Sequence, residues 1–207
     1  MPTTSPGLIL ASASPRRRQI LTALGIEFEV VVPEVEELAS GDPEAVVLEN
    51  ARRKAAAGVD AARRGAVVLA VDTDVALDGR ILGKPDDRAG ARERLEALAG
   101  RTHTVLSGVV LRGPEREGEP SERSGVSRSQ VSFAALDEPT VAMYLDSGEW
   151  RGRAGAYAIQ GLGSLLVERV EGDFSNVVGL PLSLLFELAP ELRRSAERST
   201  PEGGNLA

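Results

Sequence analysis

The chain has 207 residues, no cysteine, one histidine and a formal net charge of −7. This length fits one α/β domain, and the residue counts exclude disulfides, thiolate metal sites and a histidine-cluster zinc site. The acidic balance argues against general nucleic-acid binding, although a nucleotide needs only a local cationic site. No apolar run approaches membrane-spanning length, so we expect a cytoplasmic protein without a membrane partner.

The N-terminal segment predicts a strand that leads into a helix with an anion-binding end. Residues 8–12 form a short apolar run, and the following helix begins with Ser14 as N-cap and Pro15 at its first position. The free N–H groups of such an end attract anions, and Arg16 and Arg17 lie beside them. From spacing alone, a capped helix with solvated arginines is the more common alternative.

A second strand and a long helix are predicted next. Residues 28–32 are apolar enough for a strand and precede an acidic stretch that is typical of a solvated loop. Residues 42–64 predict a helix capped by Asp42. This helix carries Lys54, for which an exposed salt-bridge partner is the simplest interpretation.

The central stretch, residues 67–87, carries the densest chemical signal. A buried strand over residues 67–71 is predicted to stop at Asp72-Thr73-Asp74, and a carboxylate pair there is costly unless something needs it. Asp78-Gly79 between two apolar runs predicts a hairpin, which leads out to Lys84. Acids that can hold a metal beside a lysine that can hold a phosphate indicate phosphoryl chemistry.

Lysine usage singles out two positions. Lysine and arginine together number 24, and only Lys54 and Lys84 are lysines. Because the two cations differ in shape and hydration, a surviving lysine can mark a place that requires a compact charge. The alternative is that both survive by chance.

The second half of the chain predicts an antiparallel pair of strands and several helices. His103 lies alone on the first of these strands, which favours a structural role over a catalytic one. The predicted elements are a helix over 87–99, strands over 102–111 and 126–136 around a flexible loop at 113–125, a helix over 139–146, extended runs over 154–160 and 164–170, a helix over 182–188 and a disordered tail over 195–207.

Seven short motifs occur in an order and spacing that resemble the Maf family of nucleoside triphosphate pyrophosphatases. They are Ser12-Ala13-Ser14-Pro15-Arg16-Arg17, Glu36-Glu37, Lys54-Ala55, Val71-Asp72-Thr73, Gly83-Lys84-Pro85, Tyr157-Ala158-Ile159-Gln160-Gly161 and Val177-Val178-Gly179-Leu180-Pro181. Each motif alone is weak, but seven in order are specific.

The resemblance implies a fold and a reaction. The fold is a single α/β domain over residues 1–194, with a two-lobed, mixed, twisted sheet, flanking helices and an active cleft between the lobes. The reaction converts a nucleoside triphosphate and water into the monophosphate and pyrophosphate, with Mg²⁺ or Mn²⁺ as cofactor. The substrate is the nucleotide, and the family has a link to nucleotide house-cleaning and cell-division arrest. The oligomeric state is left open, with a homodimer as one option.

The resemblance also implies roles for individual residues. Asp72 would be the proton acceptor and would share a metal with Glu37. The other catalytic or substrate-binding residues would be Lys54, Lys84, Ser14, Arg16, Arg17, Thr73, Gln160 and Arg153. Among these, Arg17, Thr73 and Gln160 match the branch of the family that prefers dTTP and UTP. The Gln160 amide offers both a donor and an acceptor, which suits the edge of thymine or uracil.

Two other functions remain as alternatives. One is a non-catalytic nucleotide-binding regulator of septum formation, which the intact acids and lysines disfavour. The other is a pyrophosphatase for non-canonical purines such as ITP, against which Thr73 and Gln160 argue.

Three positions depart from the family pattern. Asp74 replaces an apolar residue, Arg153 replaces a lysine, and Val71 replaces a small residue. We expect Asp74 to point away from Asp72 and Arg153 to keep a phosphate contact.

Overall fold

The computed structural model describes residues 7–61, 65–113 and 121–199. The strands are β1 (Leu8–Ala11), β2 (Phe28–Val31), β3 (Val67–Leu77), β4 (Arg80–Ile81), β5 (Thr102–Arg112), β6 (Glu122–Phe133) and β7 (Val167–Gly172). The α-helices are α1 (Pro15–Ala23), α2 (Pro43–Ala61), α3 (Arg88–Leu98), α4 (Glu138–Ser147), α5 (Phe174–Val178), α6 (Leu182–Leu188) and α7 (Pro190–Ser199). None of the helices in this part of the chain combines the length and apolarity needed to cross a membrane.

The strands form one mixed sheet. Its order is β2-β1-β3-β5-β6-β7, with β4 paired to β3 beside this path. β1 runs parallel to both β2 and β3, whereas the β3–β5, β5–β6 and β6–β7 pairs are antiparallel. The predicted mixed α/β fold with flanking helices is therefore confirmed, while the division into two lobes and the single-domain boundary stay predictions.

Side-chain alternation along β3 assigns each face of the sheet to a different set of helices. Val68 and Ala70 pack against the small apolar side chains of α2, whereas Leu69 and Val71 pack with α1 and α6. Further along, Val75 joins the core that α3 and α4 cover. Because successive residues of a strand face opposite sides, β3 is buried on both faces.

Two glycines allow α2 to lie unusually close to the sheet. A Cβ on Gly58, in α2, would approach Cγ1 of Val68 to 2.8 Å. A Cβ on Gly108, in β5, would approach the backbone oxygen of Val47 to 2.3 Å. Gly108 is also the register partner of Asp72. The missing side chain therefore lets α2 cross the sheet next to that aspartate.

The strand β3 continues through its acidic residues, contrary to the prediction that it stops at Asp72. Antiparallel pairing with β5 extends as far as Ala76, which satisfies the backbone through the acidic triplet. The predicted hairpin is confirmed: Asp78 and Gly79 have φ of 51° and 75°, as a tight two-residue turn requires. β1 ends at Ala11, opposite Ala70, so β3 extends beyond its parallel neighbour and leaves an open space there.

Three predictions for the second half of the chain need correction. Residues 154–156 are not extended, because Ala154–Ala156 forms a short 3₁₀ element in which Gly155 and Ala156 have positive φ, whereas Tyr157 and Gln160 have extended backbones. A second 3₁₀ helix, Gly161–Leu166, occupies the start of the next predicted extended run. Residues 195–199 complete α7 rather than a disordered tail. Residues 200–207 and most of the predicted loop, 114–120, lie outside the described residues, and β6 already begins at Glu122.

Replacing Gly108 with alanine tests the close approach of α2. The added methyl group would meet backbone atoms of Val47 and Leu48, which cannot rotate away. We expect Gly108→Ala to lower the free energy of unfolding by about 1–3 kcal/mol, the usual cost of overpacking a core. Chemical denaturation measures this change.

Gly113→Ala is the matched control, because its nearest new contact, the Cβ of Ser121, would lie at an ordinary 3.4 Å. Equal stability of the two variants would contradict the close packing of α2 on β5.

Candidate active site

A cavity of about 310 Å³ opens where β3 extends past β1. All but one of the predicted site residues line it. They are Ser14, Arg16, Arg17, Glu37, Lys54, Asp72, Thr73, Lys84 and Arg153. These residues come from six separate segments of the chain, so the fold alone brings them together.

Lys54 lies between two carboxylates at the base of this cavity. Its Nζ is 2.5 Å from Oδ1 of Asp72 and 2.7 Å from Oε1 of Glu37. Lys54 and Asp72 are only 8% and 6% exposed. The simple expectation that Lys54 is a solvent-exposed salt-bridge partner is therefore wrong, because the close approach of α2 directs its side chain into the site.

Glu37 is the more accessible of the two acids and contacts both lysines. Its Oε2 lies 3.5 Å from Nζ of Lys84, whose side chain is 55% exposed. Partial burial acts to raise the pKa of Glu37. The hydrogen bond and charge of Lys54, helped by Lys84, outweigh this effect, so the pKa lies below its ordinary value. Glu37 is thus a carboxylate at neutral pH.

Arg17 connects three segments of the cavity wall through hydrogen bonds. Its Nε donates to the carbonyl of Gly179 at 2.8 Å, Nη1 to Oγ of Ser12 at 2.9 Å, and Nη2 to Oγ1 of Thr73 at 3.0 Å. Oγ1 of Thr73 also lies 2.8 Å from Oγ of Ser107. Burial lowers the pKa of Arg17 to about 10, opposed by the charges of Asp72 and Glu37, so Arg17 remains a cation at neutral pH.

Arg16 and Arg153 bring two guanidinium groups close together without an acidic partner among the described ion pairs. The pKa of Arg16 falls to about 10, first through burial and then through the charges of Arg153 and Arg17. The Nε atoms of both Arg16 and Arg153 are buried and lack a hydrogen-bond partner. Buried donors without a partner are costly, and an anion bound in the cavity could accept from them.

The cavity as a whole carries an excess of positive charge. Five basic side chains and two acidic ones line it, although the chain has a net charge of −7. This local excess attracts polyanions and concentrates them at the opening.

Two predicted site residues need comment. Ser14 begins α1 as expected, but its hydroxyl makes no capping hydrogen bond, so it is free to face the cavity. Gln160 is exposed and does not line the cavity. Its role in selecting the base stays a prediction.

The expectation that Asp74 points away from Asp72 is wrong. Residues two apart on a strand share a face, so both lie on the α2 side, and the charge of Asp72 acts on Asp74. The pKa of Asp74 rises to about 6, first through burial. Its Oδ1 accepts hydrogen bonds from the N–H groups of Val75 and Gly83 at 2.7 and 3.2 Å. Asp74 therefore holds the hairpin that carries Lys84, and it does not line the cavity.

Two residues of the site region were missed by sequence analysis. Asn50 is 2% exposed and donates from Nδ2 to Oδ2 of Asp72 at 3.1 Å. Ser107 is fully buried beside Thr73. A signal for Asn50 was available, since a polar amide four residues before Lys54 must lie on the same helix face.

His103 lies behind the cavity wall, as its predicted structural role requires. Its Nε2 is 2.8 Å from the hydroxyl of Tyr157, which lines the cavity. The imidazole also makes edge contacts with the rings of Phe133 and Tyr157. Burial lowers the pKa of His103 to about 4, so the imidazole is neutral at physiological pH.

The two cavity carboxylates suit a divalent cation that arrives with a phosphate ligand. Among the described residues, no group of three or more histidine, cysteine, aspartate or glutamate side chains converges as a metal site. Mg²⁺ in phosphoryl-transfer enzymes is held by one or two carboxylates, with substrate phosphates and water as its other ligands. Asp72 and Glu37, which both reach Lys54, meet this smaller requirement.

The lowered pKa of His103 predicts a pH-dependent stability. Between pH 4 and 6.5 the unfolded chain binds more protons than the folded one, so stability falls as the pH drops through this window. His103→Gln removes the titrating group and keeps a polar atom for Tyr157. We expect the wild type to lose more stability than this variant between pH 7 and pH 4, by on the order of 3 kcal/mol.

Denaturant unfolding at a series of pH values measures the difference. Other acids titrate in both proteins and cancel in the comparison. Parallel stability curves for the two proteins would show that His103 does not titrate in this way.

Comparison with known proteins identifies the family. The protein-family model described as "Maf-like protein" matches residues 7–192 of the chain. A dTTP/UTP pyrophosphatase of Deinococcus radiodurans is 48% identical over 186 residues, which cover 89% of this chain and 92% of that protein. Another from Thermus thermophilus is 46% identical over 189 residues, covering 91% and 96%. The family match includes every described strand of the sheet and every residue that lines the cavity.

Solved structures give a more remote likeness. A HAM1 protein from Coxiella burnetii matches with a TM-score of 0.47 and 16% identity, over 93% of this chain and 95% of that one. This likeness carries no argument about the site. The family model over residues 7–192 and the relatives at 46–48% identity are sufficient: the chain belongs to the Maf family.

Proposed function

We propose that the chain hydrolyses dTTP and UTP to the nucleoside monophosphate and pyrophosphate. The observation that carries this proposal is the cavity, where two carboxylates and five cations face one space in an acidic protein. A triphosphate complements the cations, and hydrolysis needs a base beside them. The relatives named dTTP/UTP pyrophosphatase support the same reaction.

In this proposal Asp72 is the general base. A water molecule loses a proton to the Asp72 carboxylate, and its oxygen forms a bond to the α-phosphorus. The bond between the α-phosphorus and the bridging oxygen breaks, and pyrophosphate leaves with that oxygen. Lys54 holds Oδ1 of Asp72 at 2.5 Å and places its positive charge where negative charge develops on the phosphates. Arg16, Arg153 and Lys84 neutralise the rest of the triphosphate, which would also satisfy the unpaired Nε atoms of both arginines.

A divalent cation fits the same arrangement, with Asp72 and Glu37 as its protein ligands and Mg²⁺ or Mn²⁺ as candidates. When bound, the cation would neutralise phosphate charge and orient the reacting oxygens. Glu37 is the more exposed carboxylate and lies nearer to the opening, as a ligand for an incoming metal–nucleotide complex requires.

Base preference would depend on Arg17, Thr73 and Gln160. All three nitrogens of the Arg17 guanidinium donate to protein acceptors, so we infer that Arg17 acts by fixing the wall that carries Thr73. Gln160 is three residues after Tyr157, which lines the cavity. Contact between Gln160 and a base requires that the nucleotide extend to the exposed surface where its amide lies.

The non-catalytic regulator is not favoured. A carboxylate held by a lysine and an amide in this cavity suits a base better than a site that only binds nucleotide, because its negative charge opposes that of a bound polyanion. The relatives' names also point to an enzyme.

Pyrophosphate release across a nucleotide panel with Mg²⁺ or Mn²⁺ tests the proposal. We expect dTTP and UTP to be preferred over dATP, dGTP, dCTP and ITP. Asp72→Asn should lower kcat by about 100-fold or more, the effect of losing a general base, because the amide cannot accept the proton.

Asp78→Asn is the matched control, since Asp78 is an exposed hairpin residue with positive φ, which asparagine tolerates. Absence of pyrophosphate release for every nucleotide would favour a binding function. Near wild-type turnover in Asp72→Asn would exclude Asp72 as the base.

The two lysines give a graded prediction. Lys54→Arg should lower kcat/KM by about 10- to 100-fold, because a guanidinium fork cannot place one compact charge between Asp72 and Glu37. Lys84→Arg should have a smaller effect, since Lys84 is half exposed and has room to adjust. Steady-state pyrophosphate release and melting curves measure both variants.

Arg52→Lys serves as the control, because Arg52 lies on the same helix as Lys54 and pairs with Glu122 on the surface. Full activity in Lys54→Arg would mean that the lysine is not required as a compact charge.

A further inference from the structure

The loop that carries Glu37 is attached to α2 by three side chains on one helix face. Arg53 donates from Nη1 to the carbonyl of Glu36 at 2.9 Å, Lys54 contacts Glu37 at 2.7 Å, and Asn50 binds the backbone of Leu38. Positions 50, 53 and 54 are neighbours on a helix surface. Three successive loop residues are therefore held by one short segment of α2.

Asn50 differs from the other two because its side-chain amide both accepts and donates hydrogen bonds. Its Oδ1 accepts from the N–H of Leu38 at 2.7 Å, and its Nδ2 donates to the carbonyl of Leu38 at 3.0 Å. The same Nδ2 donates to Oδ2 of Asp72 at 3.1 Å. One buried amide thus links the Glu37 loop to the carboxylate proposed as the base.

The two oxygens of Asp72 consequently have different partners. Oδ1 faces the ammonium of Lys54, and Oδ2 faces the amide of Asn50. Two donors on two oxygens fix both the position and the plane of the carboxyl group. Proton transfer to Asp72 requires such orientation, because a displacement of about 1 Å at a reacting group can cost about 100-fold in rate.

We propose that Asn50 is a positioning residue that orients Asp72 and sets the distance of Glu37 from it. This inference rests on the proposed hydrolysis. Only a neutral group with both a donor and an acceptor satisfies these contacts. A carboxylate at position 50 would repel Asp72, and an aliphatic side chain would leave the N–H of Leu38 and Oδ2 of Asp72 without their partner.

Steady-state kinetics on three variants test the role. Asn50→Asp keeps the acceptor for the N–H of Leu38 but loses the donor to Asp72 and to the carbonyl of Leu38, and Asn50→Leu loses the acceptor and the donor. Arg53→Met is the matched control, because it removes another anchor of the same loop that does not touch Asp72. We expect both Asn50 variants to lower kcat by about 10- to 100-fold with KM within about threefold of wild type, whereas Arg53→Met should change kcat by less than about threefold.

A stability measurement separates this inference from the proposed function. Asn50→Asp should lower Tm by about 5 °C, because two carboxylates then face each other. Adding Asp72→Asn exchanges the amide and the carboxylate and should restore most of the lost Tm. This rescue does not depend on turnover, so it holds even if the wild type releases no pyrophosphate, an outcome that would overturn only the proposed function.

Two results would overturn the positioning role. One is wild-type kcat in a folded Asn50→Asp variant. The other is an equal loss of kcat in Arg53→Met and Asn50→Asp, which would show that Asn50 acts only as an anchor of the loop. If Asn50→Asp lowers Tm as much in the Asp72→Asn background as in the wild type, the contact with Asp72 is excluded.

Discussion

The structure depends on one buried ion pair, Lys54 with Asp72. Two charges that are each less than a tenth exposed are costly to remove from water unless they are paired and hydrogen-bonded. Here each partner has a second contact, since Lys54 also reaches Glu37 and Asp72 also accepts from Asn50. The pair links α2 to β3. Removal of Lys54 would leave the buried carboxylate of Asp72 without a cation, whereas removal of Asp72 would leave Lys54 paired with Glu37.

The close contact of α2 with the sheet is what makes this pair geometrically accessible. Small side chains, Ala51 and Ala55, and the bare backbone of Gly58 and Gly108 reduce the distance between the helix and β3. A bulkier interface would move Lys54 and Asn50 away from Asp72. Packing that looks purely structural therefore determines the electrostatics of the cavity, and the weak helix propensity of Gly58 is offset by the contact that it permits.

Sequence analysis identified most of the cavity through the resemblance to the Maf family, because seven motifs in order are specific although each alone is weak. Local signals contributed less. The Asp-Gly hairpin, the Pro15 helix start and the two lysines were all visible in the linear chain. The long reach of β3 was not, because an acidic triplet locally resembles the end of a strand, and only pairing with β5 shows that it continues. The conformation of residues 154–156 could not be predicted either, because nothing in the local sequence indicates that Ala156 adopts a positive φ. Asn50 shares a helix face with Lys54, but its role could not be predicted, because its partners Leu38 and Asp72 are distant in sequence.

The restriction of lysine to positions 54 and 84 has a chemical consequence for the whole molecule. Every other basic side chain is an arginine, whose guanidinium stays protonated and is a poor nucleophile near neutral pH. The side-chain primary amines of the chain are thus confined to one cavity, where they differ sharply in accessibility: Lys84 is half exposed and Lys54 is buried against two acids. Acylation, carbamylation or glycation of side-chain amines would therefore be confined to this cavity and would reach Lys84 first, so any chemical modification of a lysine would alter the cavity itself.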